Sequence, residues 1–145
     1  MPLSLYDKQI IGLIMSNKIK IALLGLGEVG QDFAEAFLEM IQEAGKPIEI
    51  AAIAHRHLDS AVALGFQQSG VPAFEDATGI IDMGEKIDII FDLTGDADTR
   101  TALRKGLQSS NNKHTIIAPE MVAKLLWMFF DDNVGLQNLS GGGYS

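Results

Sequence analysis

The chain has 145 residues, a length that fits one domain and can bury a full core. Apolar residues make up 47% and charged residues 21%, which excludes wholesale disorder. The absence of cysteine removes disulfides, thiolate catalysis and cysteine zinc sites together, and a net charge of -8 disfavours general nucleic-acid binding.

Residues 1–17 read as an N-terminal arm or an extra helix. The apolar run Ile10-Ile11-Gly12-Leu13-Ile14-Met15 is short for a signal peptide, and Asp7 offsets Lys8 in front of it. No apolar run approaches the roughly 20 residues that span a bilayer, so no membrane partner is expected and the cytoplasm is the default location. The domain proper is expected over 18–130.

Ile19 to Leu24 reads as a buried first strand ending at Gly25. From Glu28 to Ala44 the period becomes helical: Phe33, Phe37, Ile41 and Ala44 share a stripe, while Asp32, Glu35, Glu39 and Glu43 lie largely elsewhere. Gly45-Lys46-Pro47 stops that helix. Ile48 to Ala54 is a second strand, followed by His55-Arg56-His57. Asp59 to Leu64 reads as a short helix. Val71 to Phe74 reads as a short third strand, in which Pro72 suits an edge. Thr78 to Glu85 is a second short helix, capped by Thr78.

Ile87 to Leu93 is the fourth strand. Its nearly continuous apolar run is expected when both faces are covered. A helix over Asp98 to Gln108 follows Thr94-Gly95, with Asp98 as cap and Asp96 as a loop acid; Asp92 reads as structural. Thr115 to Ala118 is a fifth strand, and Pro119 suits the first position of a last helix reaching about Phe130. Residues 131–145, ending Gly141-Gly142-Gly143-Tyr144-Ser145, read as a flexible tail. The alternation predicts a doubly wound, mostly parallel α/β sheet of Rossmann type, with strand order 3-2-1-4-5.

Gly25-Leu26-Gly27-Glu28-Val29-Gly30 is a GxGxxG turn with a strand before it, a helix opening in it and a second strand on time. Gly25 allows the tight turn, Gly27 lets a pyrophosphate approach the backbone, and Gly30 allows close helix–strand packing. The first helix amides and the helix dipole then face the phosphates. After the second strand there is no acid until Asp59. Arg56 offers a planar fork suited to a 2′-phosphate, which tilts the cofactor choice to NADP over NAD. His55, His57 and Asp59 lack a third ligand fixed by spacing, so no metal is expected.

Read together, these segments resemble the cofactor domain of homoserine dehydrogenases and related oxidoreductases, over roughly Lys18 to Leu125. The resemblance lies in Ile19 to Gly30, in Arg56, in Asp88-Ile89-Ile90-Phe91-Asp92-Leu93-Thr94-Gly95, and in His114-Thr115-Ile116-Ile117-Ala118-Pro119-Glu120. It implies NAD(P) binding with Gly25, Gly27, Gly30, Arg56, Thr94 and Gly95 near the cofactor. The full set of expected cofactor-binding positions is Gly25, Leu26, Gly27, Glu28, Val29, Gly30, His55, Arg56, Thr94 and Gly95. No catalytic residue is assigned. Those enzymes carry a threonine-alanine-asparagine-lysine motif after the fifth strand. The lysine position here is Glu120, and a carboxylate cannot serve as a cationic clamp; Lys124 is one turn further on.

Only about 20 residues follow Leu125, too few for the substrate and dimerisation domain the resemblance implies. The expectation is therefore a stand-alone domain that holds a nicotinamide dinucleotide. An NAD(P)-dependent oxidoreductase completed by oligomerisation or a partner stays open, as does binding of another adenine nucleotide or of no ligand. Leu125-Leu126-Trp127-Met128-Phe129-Phe130 is apolar all round its helix, which predicts a homodimer through this face, unless Ile10, Ile11 and Ile14 of the arm cover it.

Overall fold

Alternate residues of the first strand enter two different cores. In β1 (Ile19–Leu24), Ile21 and Leu23 face one side of the sheet, while Ala22 and Leu24 face the other. Both faces are thus covered, as a parallel sheet requires. The computed structural model describes residues 4–8 and 18–129, except the side chains of Glu28 and Val29. The apolar run of the arm and the expected tail lie outside the described residues.

The remaining elements are α1 (Glu28–Ala44), β2 (Ile48–Ala54), α2 (Ala61–Gln68), β3 (Ala73–Phe74), α3 (Ala77–Asp82), β4 (Ile89–Asp92), α4 (Ala97–Ser109), β5 (Ile116–Pro119) and α5 (120–129). A 3-10 turn over Gly84–Lys86 joins α3 to β4. All strand pairs are parallel and the order is β3-β2-β1-β4-β5, the doubly wound arrangement expected from the sequence.

One core lies under α1, α2 and α5. Phe33, Phe37 and Phe91 form an aromatic cluster there, with centroids 5.4 to 6.0 Å apart, and Trp127 of α5 stands 6.4 Å from Phe33. The other core is lined by small strand residues, Ala22, Ala52 and Ala54, against Ile80 of α3 and Leu103 of α4. The register of β1 on β2 shifts at Ile21/Ala22, leaving Ala51 unopposed. That bulge restores the alternation, so that Ile50 and Ile53 share one face although they are three residues apart.

Several expected boundaries move. The helix after β2 begins at Ala61, because Ser60 accepts the Ala63 amide and so caps it. The next helix is capped by Asp76, not Thr78, whose own amide donates to Asp76. α4 is capped by Asp96, and Asp98 lies inside its first turn. Pro119 is the last residue of β5, paired with Asp92, and α5 starts one residue later. Among the described residues, no helix is long and apolar enough to cross a membrane.

Candidate functional site

The carboxyl ends of β1, β2 and β4 meet at Gly25. Its φ of +89° is a left-handed value that a side chain would resist, and a Cβ there would sit 2.8 Å from Thr94 Cγ2. Gly30 is excluded from carrying a side chain for a different reason: a Cβ would lie 2.2 Å from the carbonyl oxygen of Gly25. The first turn of α1 is therefore pressed onto the β1 turn itself. Gly27 differs from both. It stands at the N-cap of α1 in extended conformation, and a Cβ there would meet nothing within 4 Å. The space over Gly27 is open.

Gly27 supplies no capping side chain, and the first amides of α1 have no carbonyl behind them in the helix. They and the helix dipole face that opening. The amides just before are committed elsewhere. Gly25 donates to the Ala54 carbonyl at 2.8 Å, and Leu26 donates to His55 Nδ1 at 3.1 Å. The Leu26 side chain is buried in the core.

A cleft of about 570 Å³ opens here, within the usual range for small-molecule sites. Gly25, Gly27, His55, Arg56 and Thr94 line it, together with His57, Glu75, Asp76, Thr78 and Thr99. Arg56 is exposed. Asp96 sits on the α4 side, held below the usual carboxylate range by the Thr99 hydroxyl and the Asp98 amide, with a smaller contribution from Arg56. His55 is half-buried. Burial, then His57 and Arg56, lower its affinity for a proton below the ordinary value of 6.5.

Thr94 and Gly95 follow β4. The Thr94 hydroxyl donates inward to Asp92 and accepts the Asp96 amide, and the Thr94 methyl buttresses Gly25. Asp92 is wholly buried, and its second oxygen lies 3.8 Å from Arg100 Nε without a hydrogen bond. Glu120 reaches over Gly95, where a Cβ would be 3.0 Å from Glu120 Oε2, and it pairs with Lys124 at 3.7 Å. A separate, mostly apolar cleft of about 410 Å³ lies between α1 and α5, with Phe33, Trp127 and Glu120 in its walls. It contains none of the turn glycines. Among the described residues, no group of three or more potential metal ligands is assembled.

The architecture finds counterparts among solved structures. Homoserine dehydrogenase from S. aureus, at pH 7.0, matches with a TM-score of 0.54 and 27% identity, over 82% of this chain and 31% of that one. The same enzyme at pH 8.5 matches with a TM-score of 0.54 and 28% identity, over the same shares. The chain is a Rossmann-type domain. An NAD binding oxidoreductase from Klebsiella pneumoniae is matched at a TM-score of 0.40 and 15% identity, over 70% of this chain and 34% of that one. No protein-family model and no curated protein matches. The Rossmann domain thus spans about a third of the homoserine dehydrogenase chain it resembles.

The cleft brings Gly25, Gly27, His55, Arg56 and Thr94 into one wall system. Leu26 turns its side chain into the core, and Gly95 lies toward Glu120. Sequence reasoning missed Glu75 and Asp76, because the loop after β3 approaches the end of β2 only in the folded sheet. It also missed the acceptor role of His55, whose one signal was its position directly after the strand.

Proposed function

We propose that this Rossmann domain holds a nicotinamide dinucleotide, with the pyrophosphate over Gly27 and the first amides of α1. The observation that carries the reading is the contrast among the three glycines. Gly25 is required by its left-handed φ and the Thr94 methyl and Gly30 by the Gly25 carbonyl, while Gly27 faces empty space at an uncapped helix N-terminus. The cleft beside it has both Arg56 and Thr94 in its lining. The similar solved structures are dehydrogenases, and such enzymes take their hydride chemistry from a nicotinamide cofactor.

Arg56 supports NADP over NAD. It is an exposed guanidinium just beyond β2, where a 2′-phosphate would be recognised by a planar fork of donors. We read the domain as one that holds the cofactor, because the residue over Gly95 is the carboxylate of Glu120, and Lys124 is paired with it. The exposed stripe of α5 formed by Met121, Val122, Leu125, Met128 and Phe129 supports a homodimer through that face.

The test is a titration of the purified protein with NADH and NADPH, read by calorimetry and by Trp127 fluorescence. Trp127 reports on the turn because it packs on Phe33, in the second turn of α1. Saturable binding of either, without oxidation of homoserine, is the expected result. No heat and no fluorescence change at millimolar ligand would refute it.

A further inference from the structure

His55 reaches back across 29 residues to hold the turn. Its own amide is fixed to the Phe74 carbonyl at 2.9 Å, and its Nδ1 accepts the Leu26 amide at 3.1 Å. A ring nitrogen that accepts an N–H must carry a lone pair, so the neutral ring keeps its proton on Nε2. An imidazolium would present N–H groups on both nitrogens, and the bond to Leu26 would be lost. Leu26 is the junction of the turn: behind it stands left-handed Gly25, and ahead of it Gly27, where a side chain would touch nothing.

We propose that His55 is a positioning residue for the phosphate turn: it holds Leu26 through Nδ1, and its protonation releases the turn and weakens dinucleotide binding. This role rests on the dinucleotide reading of the cleft. The groups facing His55 come from three elements. Arg56 and His57 follow it in its own loop, with the His57 ring edge-on at 5.7 Å; Glu75 and Asp76 line the same cleft from the loop after β3. The turn contributes the positive end of the Leu26 N–H dipole. Burial first, then His57 and Arg56, disfavours an imidazolium, and the Leu26 amide disfavours it too. The balance falls on the neutral side, since the ring takes up its proton below the ordinary 6.5.

The opposite electrostatic outcome is equally concrete. A positive His55 beside a pyrophosphate would attract it, and affinity would then rise as pH falls. The sign of the slope therefore separates positioning from simple charge attraction.

The experiment uses the full chain and NAD+, whose pyrophosphate stays ionised, with calorimetry from about pH 8 to about pH 5. In parallel, the Leu26 amide is followed by NMR in the free protein. Affinity should fall about fivefold as His55 takes up its proton, the worth of one ordinary hydrogen bond. The Leu26 amide should move with the same midpoint. His55→Leu, with no acceptor, should bind about fivefold more weakly at pH 8. His55→Asn, which offers Oδ1 near the position of Nδ1, should recover most of that loss and flatten the pH dependence. Affinity that rises or stays level through the His55 transition overturns the proposal, as does a His55→Asn protein that keeps the original slope. A Leu26 amide that ignores His55 overturns the hold on the turn while leaving the dinucleotide reading intact. Failure of NAD+, NADH and NADPH to bind at every pH overturns that reading, and this role with it.

Discussion

Asp92 Oδ1 accepts two hydrogen bonds from Thr94, from its amide at 3.1 Å and from its hydroxyl at 2.5 Å. The first residue ends β4 in full burial, and the second begins the loop that presses on Gly25. Thr94 is thus held by the sheet and in turn holds the glycine. Its oxygen also receives the Asp96 amide at 3.1 Å, at the cap of α4. Thr94→Val keeps the methyl group but deprives Asp92 of a donor and Asp96 of an acceptor. Urea unfolding should show a loss of about 1 kcal/mol, the net worth of a hydrogen bond, since Asp92 Oδ1 keeps the Thr94 amide and the Asp96 amide is open to water. Thr94→Ser, which keeps the hydroxyl, should lose less. A larger loss for Thr94→Ser than for Thr94→Val would mean that the methyl contact, not the hydrogen bonds, anchors the loop.

The three turn glycines should separate folding from binding. Gly27→Ala adds a methyl group where nothing lies within 4 Å, at a backbone conformation open to any residue. Its stability should change by no more than about 0.5 kcal/mol. The same methyl group projects into the space assigned to the pyrophosphate, so NADPH affinity should fall about tenfold or more, about 1.4 kcal/mol. Gly30→Ala forces a Cβ against the Gly25 carbonyl at 2.2 Å, and it should lower stability as well as binding. Thermal melts beside calorimetric titrations decide this. A Gly27→Ala protein that melts like the parent and binds like it would place the phosphates elsewhere.

Much of this fold was legible because period and punctuation agree. The apolar alternation of β1, the change to a helical stripe at Phe33 and Phe37, and the glycine turn between them name a strand, a turn and a helix in order. The caps were less legible. Asp96, Asp98, Asp76 and Thr78 are all plausible N-cap residues, and only the path of the chain decides that the earlier residue of each pair turns inward. The bulge at Ala51 is written in Ile50-Ala51-Ala52-Ile53, where strict alternation breaks, yet a break of parity alone does not say which strand yields. In the candidate site, the glycines were readable because they are a local pattern. The Leu26–His55 bond and the Asp92–Arg100 approach join residues from different segments, and no local pattern announces them.

Arg56 should decide between the two dinucleotides. It is exposed, so Arg56→Ala should change stability by no more than about 0.5 kcal/mol. A charge-assisted bond to a phosphate is worth about 1.5–3 kcal/mol, so NADPH affinity should drop at least tenfold while NADH affinity holds. Arg56→Lys should recover part of the loss through charge alone, without the planar fork. An unchanged ratio of NADPH to NADH affinity in Arg56→Ala would remove the basis for an NADP preference.

The opposite end of the sheet carries a pH dependence of its own. Asp88 Oδ2 accepts the Lys20 amide at 2.8 Å, and Oδ1 lies 2.6 Å from His114 Nε2, tying the entries of β1, β4 and β5 together. The Lys20 amide first, and His114 second, hold the Asp88 carboxyl below its ordinary range. A carboxyl whose folded value is depressed binds fewer protons in the folded chain than in the unfolded one. Its stabilising effect is therefore complete above the ordinary aspartate value, about 3.9, and disappears as pH falls through the lower folded value. The Asp88 side chain is about one third exposed, so solvent screening keeps the effect at about 1 kcal/mol or less. Asp88→Asn cannot ionise, and it turns an amide nitrogen toward either Lys20 or His114. Its deficit against the parent should be largest near neutral pH and should shrink steadily below about pH 4. Urea midpoints measured at intervals down the acid limb would show the two curves converging. Parallel curves through that range would mean that the Asp88 charge contributes nothing and that packing at the β-strand entries accounts for the whole difference.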